Sequence, residues 1–487
     1  MYVFSLTSST NFFLDGDVFA DDVLDISDTL ISTDEAVDED GFELPQDVEL
    51  NAGGIGWFRR LTINDMGGNN TIIAGNSVLN RLVINMGDGD DFIEGGSNAD
   101  VINAGDGDNQ VFGHDGNDRI TTGSGADLVD GGAGNDTINS GAGDDEVHGG
   151  AGNDTINAGD GNDQVYGGDG NDVINAGTGD NYVEGGDGND SITATGGNDV
   201  ILGDDGDDTI NAGDGNNMVD GGAGNDRITT GSGDDMIEGG DGDDTINAGN
   251  GNNYVNGGAG NDKITTGSGA DFIEGGVGND KVHAGDGNDF VVGEDGNDTL
   301  WGEGGDDTIE GNAGNDVING GDGDDMLSGG SGNDQITGGF GNDVMEDGTG
   351  VDRLFMNYGD DTVNNAADGE RDVFVWNSLS GIIKAGPEYD TIEWFDVRGA
   401  RNNDVLDFFG LGSNLYAQLY GGGAGETGVF AVFLSEEDRE MGNFLVAVQW
   451  NEQIGDEQIN VGVSSSSDIR IGFGWNVENV VSGDTFI

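Results

Sequence analysis

The sequence predicts an all-β solenoid, a coil of short parallel strands, and three observations predict it. From Asp91 to Asp361 every ninth residue is Asp, apart from Asn109, Asn181, Asn217 and Asn253, over 31 registers without an insertion. Two places after each stands an aliphatic residue or Met, from Ile93 and Ile102 to Leu354 and Val363. Two places before each stands Gly, with Asn98 the one exception. A fixed period over such a length marks a repeat architecture, in which each unit buries its apolar residue against its neighbours.

A clean copy reads Gly131-Gly132-Ala133-Gly134-Asn135-Asp136-Thr137-Ile138-Asn139. It divides into a Gly-rich hexapeptide, where only Gly is expected to accept the positive φ of a tight turn, and a three-residue strand with one apolar side chain pointing inward. A second period is superposed. The apolar positions 102, 120, 138 and onward to 264 are all Ile, whereas the alternate series from 111 to 183 is all Val, and the four Asn exceptions belong to the Val-containing series. The structural period is therefore 18 residues, two nonapeptides per turn, with two parallel sheets facing each other. The handedness is open at this point; about 15 turns at roughly 4.8 Å would give a rod near 70 Å long.

Composition narrows the chemistry. Of 487 residues, 98 are Gly, two are Pro and none is Cys; 97 acidic against 14 basic side chains give a formal charge of −83. An imbalance of this size calls for disorder or a bound counter-ion, and it argues against nucleic acid or an anionic membrane as partner. Without cysteine there are no disulfides and no thiolate metal sites, so carboxylates are the ligands on offer, and they suit a hard cation such as calcium. No apolar stretch of about 18 residues is present, so no membrane span is expected. The first basic residue is Arg59, so no conventional secretory leader is expected either.

The nonapeptide resembles the repeats-in-toxin (RTX) calcium-binding consensus, Gly-Gly-x-Gly-x-Asp-x-apolar-x, across residues 87 to 364. The resemblance implies a right-handed parallel β-roll with calcium between turns on each edge, held by the consensus Asp and by carbonyls of the Gly-rich loops. Residue by residue it carries over to Asp91, Asp100, Asp118, Asp127, Asp136, Asp145, Asp154, Asp163, Asp172, Asp190, Asp199, Asp208, Asp226 and Asp235. It continues through Asp244, Asp262, Asp271, Asp280, Asp289, Asp298, Asp307, Asp316, Asp325, Asp334, Asp343, Asp352 and Asp361. At the four Asn positions a neutral amide oxygen is a weaker ligand.

Elementary electrostatics leads to the same cation. Stacked turns place Asp upon Asp, and two carboxylates about 5 Å apart repel by about 3 kcal/mol at an effective dielectric near 20. A divalent ion at each step turns that repulsion into coordination, so folding and binding become one event. The repeat is then expected to stay unfolded where calcium is scarce and to fold where it is millimolar. That suits secretion as an unfolded thread to an extracellular or cell-surface location. The RTX resemblance implies a type I ABC exporter as a transient partner, and the ending Asp484-Thr485-Phe486-Ile487 resembles the C-terminal signal of some such substrates.

Outside the ruler, residues 1–50 read as an acidic N-terminal arm, with runs such as Asp34-Glu35-Ala36-Val37-Asp38-Glu39-Asp40. Residues 51–86 hold strand-like pieces, Thr71-Ile72-Ile73 and Leu82-Val83-Ile84, off the nine-residue spacing, and read as capping turns. Residues 365–487 read as a C-terminal β cap that also carries the export signal. Echoes of the repeat at Asp372–Trp376, Asp390–Trp394 and Asp404–Phe408 precede antiparallel-looking strands at Gly428–Leu434, Phe444–Trp450 and Asp468–Trp475.

The strand alternation also exposes the outer faces. One sheet presents Tyr182, Val200, Met218, Met236, Tyr254, Phe272 and Phe290 at successive copies of one outward position, beside acids such as Glu184, Glu238 and Glu274. The other presents Thr and Asn with Arg119, Arg227, Lys263, Lys281 and Arg353. An apolar row rimmed by charge marks a binding surface. The expected function is therefore self-association into an extracellular filament, matrix or surface layer, unless the row is covered by the arm or the cap. A monomeric adhesin or coat protein binding surface polysaccharide is the alternative. An enzyme is not expected. There is no His-Glu-x-x-His, no Gly-x-Ser-x-Gly and no phosphate loop, and the three histidines, His114, His148 and His283, read as spacers. A polysaccharide lyase or epimerase and an ice-binding face of Thr-x-Asn ranks stand behind these readings.

Overall fold

The computed structural model describes residues 68–73, 81–359, 361–364 and 372–373 in full, and the backbone of short strands on either side of them. The chain divides into two compact units, Met1–Asp241 and Gly242–Ile487. Among the described residues every regular element is a strand, and no helix is long and apolar enough to cross a membrane.

In the first unit, strands pair in parallel with the strand 18 residues onward. Ile138 lies opposite Ile156, and Ile156 opposite Ile174. On the other sheet Val129 lies opposite Val147, Val147 opposite Val165, and Val165 opposite Val183. The coil thus has an isoleucine sheet and a valine sheet, and these inward side chains are at most 1 % exposed. The second unit repeats the plan, with Ile264 opposite Val282 on one sheet and Val255 opposite Ile273 on the other. A parallel β-solenoid of two nonapeptides per turn is what the ruler demands, because only an 18-residue step keeps every apolar side chain inside.

Two details differ from what the sequence suggests. Many strands run six residues rather than three, as in Thr137–Ala142 and Glu146–Ala151. They carry the ladder into the loop, where Gly141 pairs with Gly159. Loop amides keep the same step, Gly134 N–H donating to the Ala151 carbonyl at 2.7 Å and Gly152 to that of Asp169 at 2.7 Å. The corners therefore stack as tightly as the sheets.

Nor is glycine the sole residue at positive φ. Four places before the Asp, His114 (φ 72°), Asp204 (70°), Glu294 (74°), Glu303 (73°) and Asn312 (68°) adopt the left-handed conformation that L-residues reach at modest cost. Two places before the Asp, φ is larger, 135° at Gly134 and 142° at Gly143. A Cβ on Gly134 would also stand 1.4 Å from the Gly116 carbonyl oxygen. That position needs glycine twice over, for its dihedral and for the turn stacked against it.

The coil continues beyond the ruler at both ends. Thr71–Ile73 pairs in parallel with Phe92–Glu94, and Leu82–Asn85 with Leu61–Asn64 at a 21-residue step. Downstream, Val373–Trp376 pairs with Arg353–Met356. Antiparallel strands appear later, Gly428–Phe433 with Val446–Trp450 and Ile459–Val463 with Ile469–Phe473. Most of the acidic arm, and the side chains of the cap beyond residue 373, lie outside the described residues.

Replacing Gly134 by Ala is expected to destabilise the folded coil by roughly 2–4 kcal/mol, as severe backbone substitutions do. His114→Gly is expected to stay within about 1 kcal/mol. Denaturant midpoints of the two variants check the contrast.

Candidate metal centres

Each Asp of the ruler opens a strand, one residue before an outward side chain, so the alternation turns it inward at the corner. All 27 are 1–3 % exposed, and the four Asn that replace Asp are equally buried. A column of acids inside a protein is costly unless every oxygen is answered.

One oxygen is. Along the ruler Oδ1 accepts the backbone N–H of the Asp or Asn one turn earlier: Asp118 N–H to Asp136 at 2.6 Å, Asp136 to Asp154 at 2.7 Å, Asn109 to Asp127 at 2.8 Å, and in the second unit Asp262 to Asp280 and Asp298 to Asp316 at 2.8 Å. The carboxylates are thereby clamps between turns.

The other oxygen is not. The Oδ2 atoms of Asp136, Asp154, Asp172, Asp190 and Asp208, and of Asp280, Asp298 and Asp316, are buried and accept no hydrogen bond. Asp100, at the start of the column, differs: its Oδ2 takes the Gly96 N–H at 2.9 Å. Elsewhere a second acceptor shares the same small space. A Cβ placed on Gly131 would lie 2.6 Å from Asp136 Oδ2 and 2.7 Å from the Gly149 carbonyl oxygen. On Gly149 it would lie 2.7 Å from Asp154 Oδ2 and 2.6 Å from the Gly167 oxygen. In the second unit Gly311 repeats this, with Asp316 Oδ2 at 2.5 Å and the Gly329 oxygen at 2.6 Å. A carboxylate and a carbonyl thus converge on a pocket that glycine leaves open, at separations close to calcium–oxygen bond lengths. An oxygen-only donor set without a proton of its own fits a hard divalent cation, which supplies the missing positive charge.

The acids report the same deficit. Without a cation, burial raises Asp118 to about 8 and Asp154, Asp190, Asp208 and Asp298 to about 7. The hydrogen bond from the previous turn lowers them in part, and the charges of the Asp residues one turn away raise them again.

A further cluster does not stand out in the sequence. Asp347, Asp352 and Asp372 are buried with one carboxylate oxygen each within 4.8 Å of the others. Asp347 takes the slot that Gly329 and Gly311 hold in earlier turns, and Asp372 follows Asp352 by twenty residues rather than eighteen. The signal available was an acid in a glycine slot just where the ruler fails.

The histidines sit elsewhere. His148 pairs with Glu146 at 3.0 Å and stacks on Tyr166, while His283 pairs with Glu303 at 2.8 Å and stacks on Trp301, both facing outward. The apolar row is also in place on the valine sheet. In the first unit Tyr182, Val200, Met218 and Met236 are paired in sequence, the two Met about half exposed. In the second, Tyr254, Phe272 and Phe290 stack with ring centroids 5.3 and 5.1 Å apart.

A protein-family model described as the RTX calcium-binding nonapeptide repeat matches the chain in successive, partly overlapping copies from residues 87–120 to 337–368. No curated protein matches it.

The raised acids set a pH dependence. The folded chain holds protons that the unfolded chain, with Asp at 3.8, has already released between about pH 4 and pH 7, so metal-free stability falls as pH rises through that window. Far-UV circular dichroism in chelator is expected to show β structure growing on acidification from pH 7.5 to about 4.5. Calcium affinity is expected to fall over the same interval, as protons and the ion compete for Oδ2. A metal-free signal indifferent to pH would contradict the assignment.

Proposed function

Because the chain belongs to the RTX calcium-binding nonapeptide-repeat family, we propose that it is a secreted structural protein that folds on calcium outside the cell and then self-assembles. The residues proposed to hold the ions are drawn from the ruler Asp, those preceding the isoleucine sheet first among them, through Oδ2 and together with the loop carbonyls opposite them. The observation that carries the reading is the column of buried Oδ2 atoms facing carbonyl oxygens. Among the described residues such Oδ2 atoms before the isoleucine sheet, those of Asp136 and Asp298 among them, meet no positive charge and no donor, so the repeat is unfolded where calcium is scarce. An unfolded thread passes a type I exporter, and millimolar calcium on the far side then drives folding by mass action.

The partner proposed for the folded coil is a second copy of the same chain. The valine sheet carries exposed Met218, Met236, Tyr254 and Phe272 beside acids, and the isoleucine sheet carries Thr, Asn and five of the basic residues. Apolar rows of this kind leave water by pairing with one another, and the opposite charges of the two faces favour packing in ordered layers. Polysaccharide is less well served. Rings stacked on one another, as Tyr254, Phe272 and Phe290 are, turn edges rather than faces to solvent.

Sedimentation velocity on the calcium-loaded chain is expected to show assemblies that grow with concentration. Met218→Asp with Phe272→Asp, both at outward positions, is expected to weaken association at least tenfold with the dichroism unchanged. A wild-type chain that stays monomeric at high concentration would exclude self-assembly.

A further inference from the structure

The two edges of the coil are not alike. On the first edge, where turns lead from the valine sheet to the isoleucine sheet, the residue five before the Asp is Gly throughout, from Gly95 to Gly239 in the first unit and from Gly257 to Gly329 in the second. On the second edge the same slot holds Ala, Thr or Ser from Ala104 to Thr230 in the first unit and at Ala248, Thr266 and Ala284 in the second. All are at most 5 % exposed. Only at Gly302, Gly320 and Gly338 does the second edge return to glycine. There a Cβ would fall 2.1–2.3 Å from the Oδ2 of Asp307, Asp325 and Asp343, the space an ion needs. A buried Cβ and a cation compete for that volume.

Protein hydrogens also take over carbonyl acceptors on the second edge, although Oδ2 atoms such as those of Asp163 and Asp289 accept no hydrogen bond there either. The Thr122 hydroxyl donates to the Ser140 carbonyl, that of Ser140 to the Ala158 carbonyl at 3.0 Å, and that of Thr266 to the Ala284 carbonyl. These carbonyls are the counterparts of those of Gly149 and Gly167, which on the first edge face Oδ2. The four Asn complete the pattern, since all lie on this edge. Asn109, Asn181 and Asn217 keep the inter-turn clamp, their Oδ1 accepting the N–H of Asp91, Asp163 and Asp199 at 3.0–3.1 Å. Their Nδ2 donates to a carbonyl of the same loop, Gly107 at 2.9 Å, Gly179 at 3.1 Å and Gly215 at 3.2 Å, and Asn253 does the same to Gly251 at 3.2 Å. At these four positions an amide N–H thus meets a carbonyl of its own loop where an Asp would present a second oxygen. In the first unit each successive step from Asn109 to Asp235 carries such an amide or hydroxyl, and in the second so do the steps from Asn253 to Asp289.

We propose that calcium binding is one-sided over most of the coil: ions line the first edge, while amide and hydroxyl protons replace them on the second, until two-sided binding returns at Asp307, Asp325 and Asp343. Each Asn also removes a negative charge where no ion arrives to neutralise it, so the two changes belong together.

The inference rests on the calcium reading of the first edge, and one experiment separates the two. The full chain is dialysed to equilibrium against saturating calcium, and bound ions per chain are counted by atomic emission. Asp208→Asn, on the first edge, is expected to lower the count by about one or two ions, since an Asp borders two steps. Asp199→Asn, on the second edge between Asn181 and Asn217, is expected to leave it unchanged. Ala212→Gly with Asn217→Asp, which restores the open acidic slot, is expected to raise it by about one or two. Equal losses from Asp199→Asn and Asp208→Asn, or no gain from the restored slot, overturn one-sided binding. Should Asp208→Asn fail to fold, the other two variants, each counted against wild type, decide between one-sided and two-sided binding by themselves. A wild-type chain that binds no calcium overturns the first-edge reading instead.

Discussion

The structure depends on one confrontation: a buried carboxylate oxygen against a carbonyl oxygen, repeated turn after turn with no proton between them. Asp136 Oδ2 and the Gly149 oxygen define it in one unit, Asp316 Oδ2 and the Gly329 oxygen in the other. Two acceptors that border one small buried slot repel, and in a low-dielectric corner the repulsion is felt strongly. Every other feature of the coil follows from making that confrontation satisfiable. Glycine opens the slot, the 18-residue step aligns successive slots, and the inward Ile and Val rows fix the corners in register.

The same atoms give the fold a condition as well as a shape. Oδ1 builds a clamp between turns that needs no ion, because a backbone N–H meets it. Oδ2 supplies the condition, since it is answered only by a cation or by protonation. In a chain with 97 acids and 14 bases, self-repulsion adds to that condition, and a bound counter-ion relieves both. On the second edge, Thr and Ser in the slots and Asn in place of Asp bring side-chain donors to loop carbonyls, while Oδ2 atoms such as those of Asp163 and Asp289 still accept no hydrogen bond. The two edges therefore differ in the space and in the carbonyls they leave open to an ion.

Much of this was legible in the residues. The Asp ruler and the Ile and Val series state the 18-residue turn outright, because a period of nine with alternating apolar identity has no other compact solution. The burial of Asp follows from its place one residue before an outward side chain. Six-residue strands were not legible, since the glycines that extend the ladder round the corner carry no strand propensity of their own. The positive φ of His114 or Glu294 was masked by the neighbouring glycines, which suggest that the whole loop needs them. The Asp347, Asp352 and Asp372 cluster was hidden by a two-residue change of step, which only the three-dimensional register absorbs. The difference between the edges was written in the sequence, as Ala158 against Gly149, but its meaning required knowing that a Cβ there meets Oδ2.

The most direct measurement is a calcium titration of the chelator-stripped chain at neutral pH, followed by far-UV circular dichroism. The account predicts little β signal at the start, a cooperative rise as calcium enters the millimolar range, and full reversal on adding EGTA. A β signal already complete in EGTA at neutral pH, and unmoved by calcium, would contradict it.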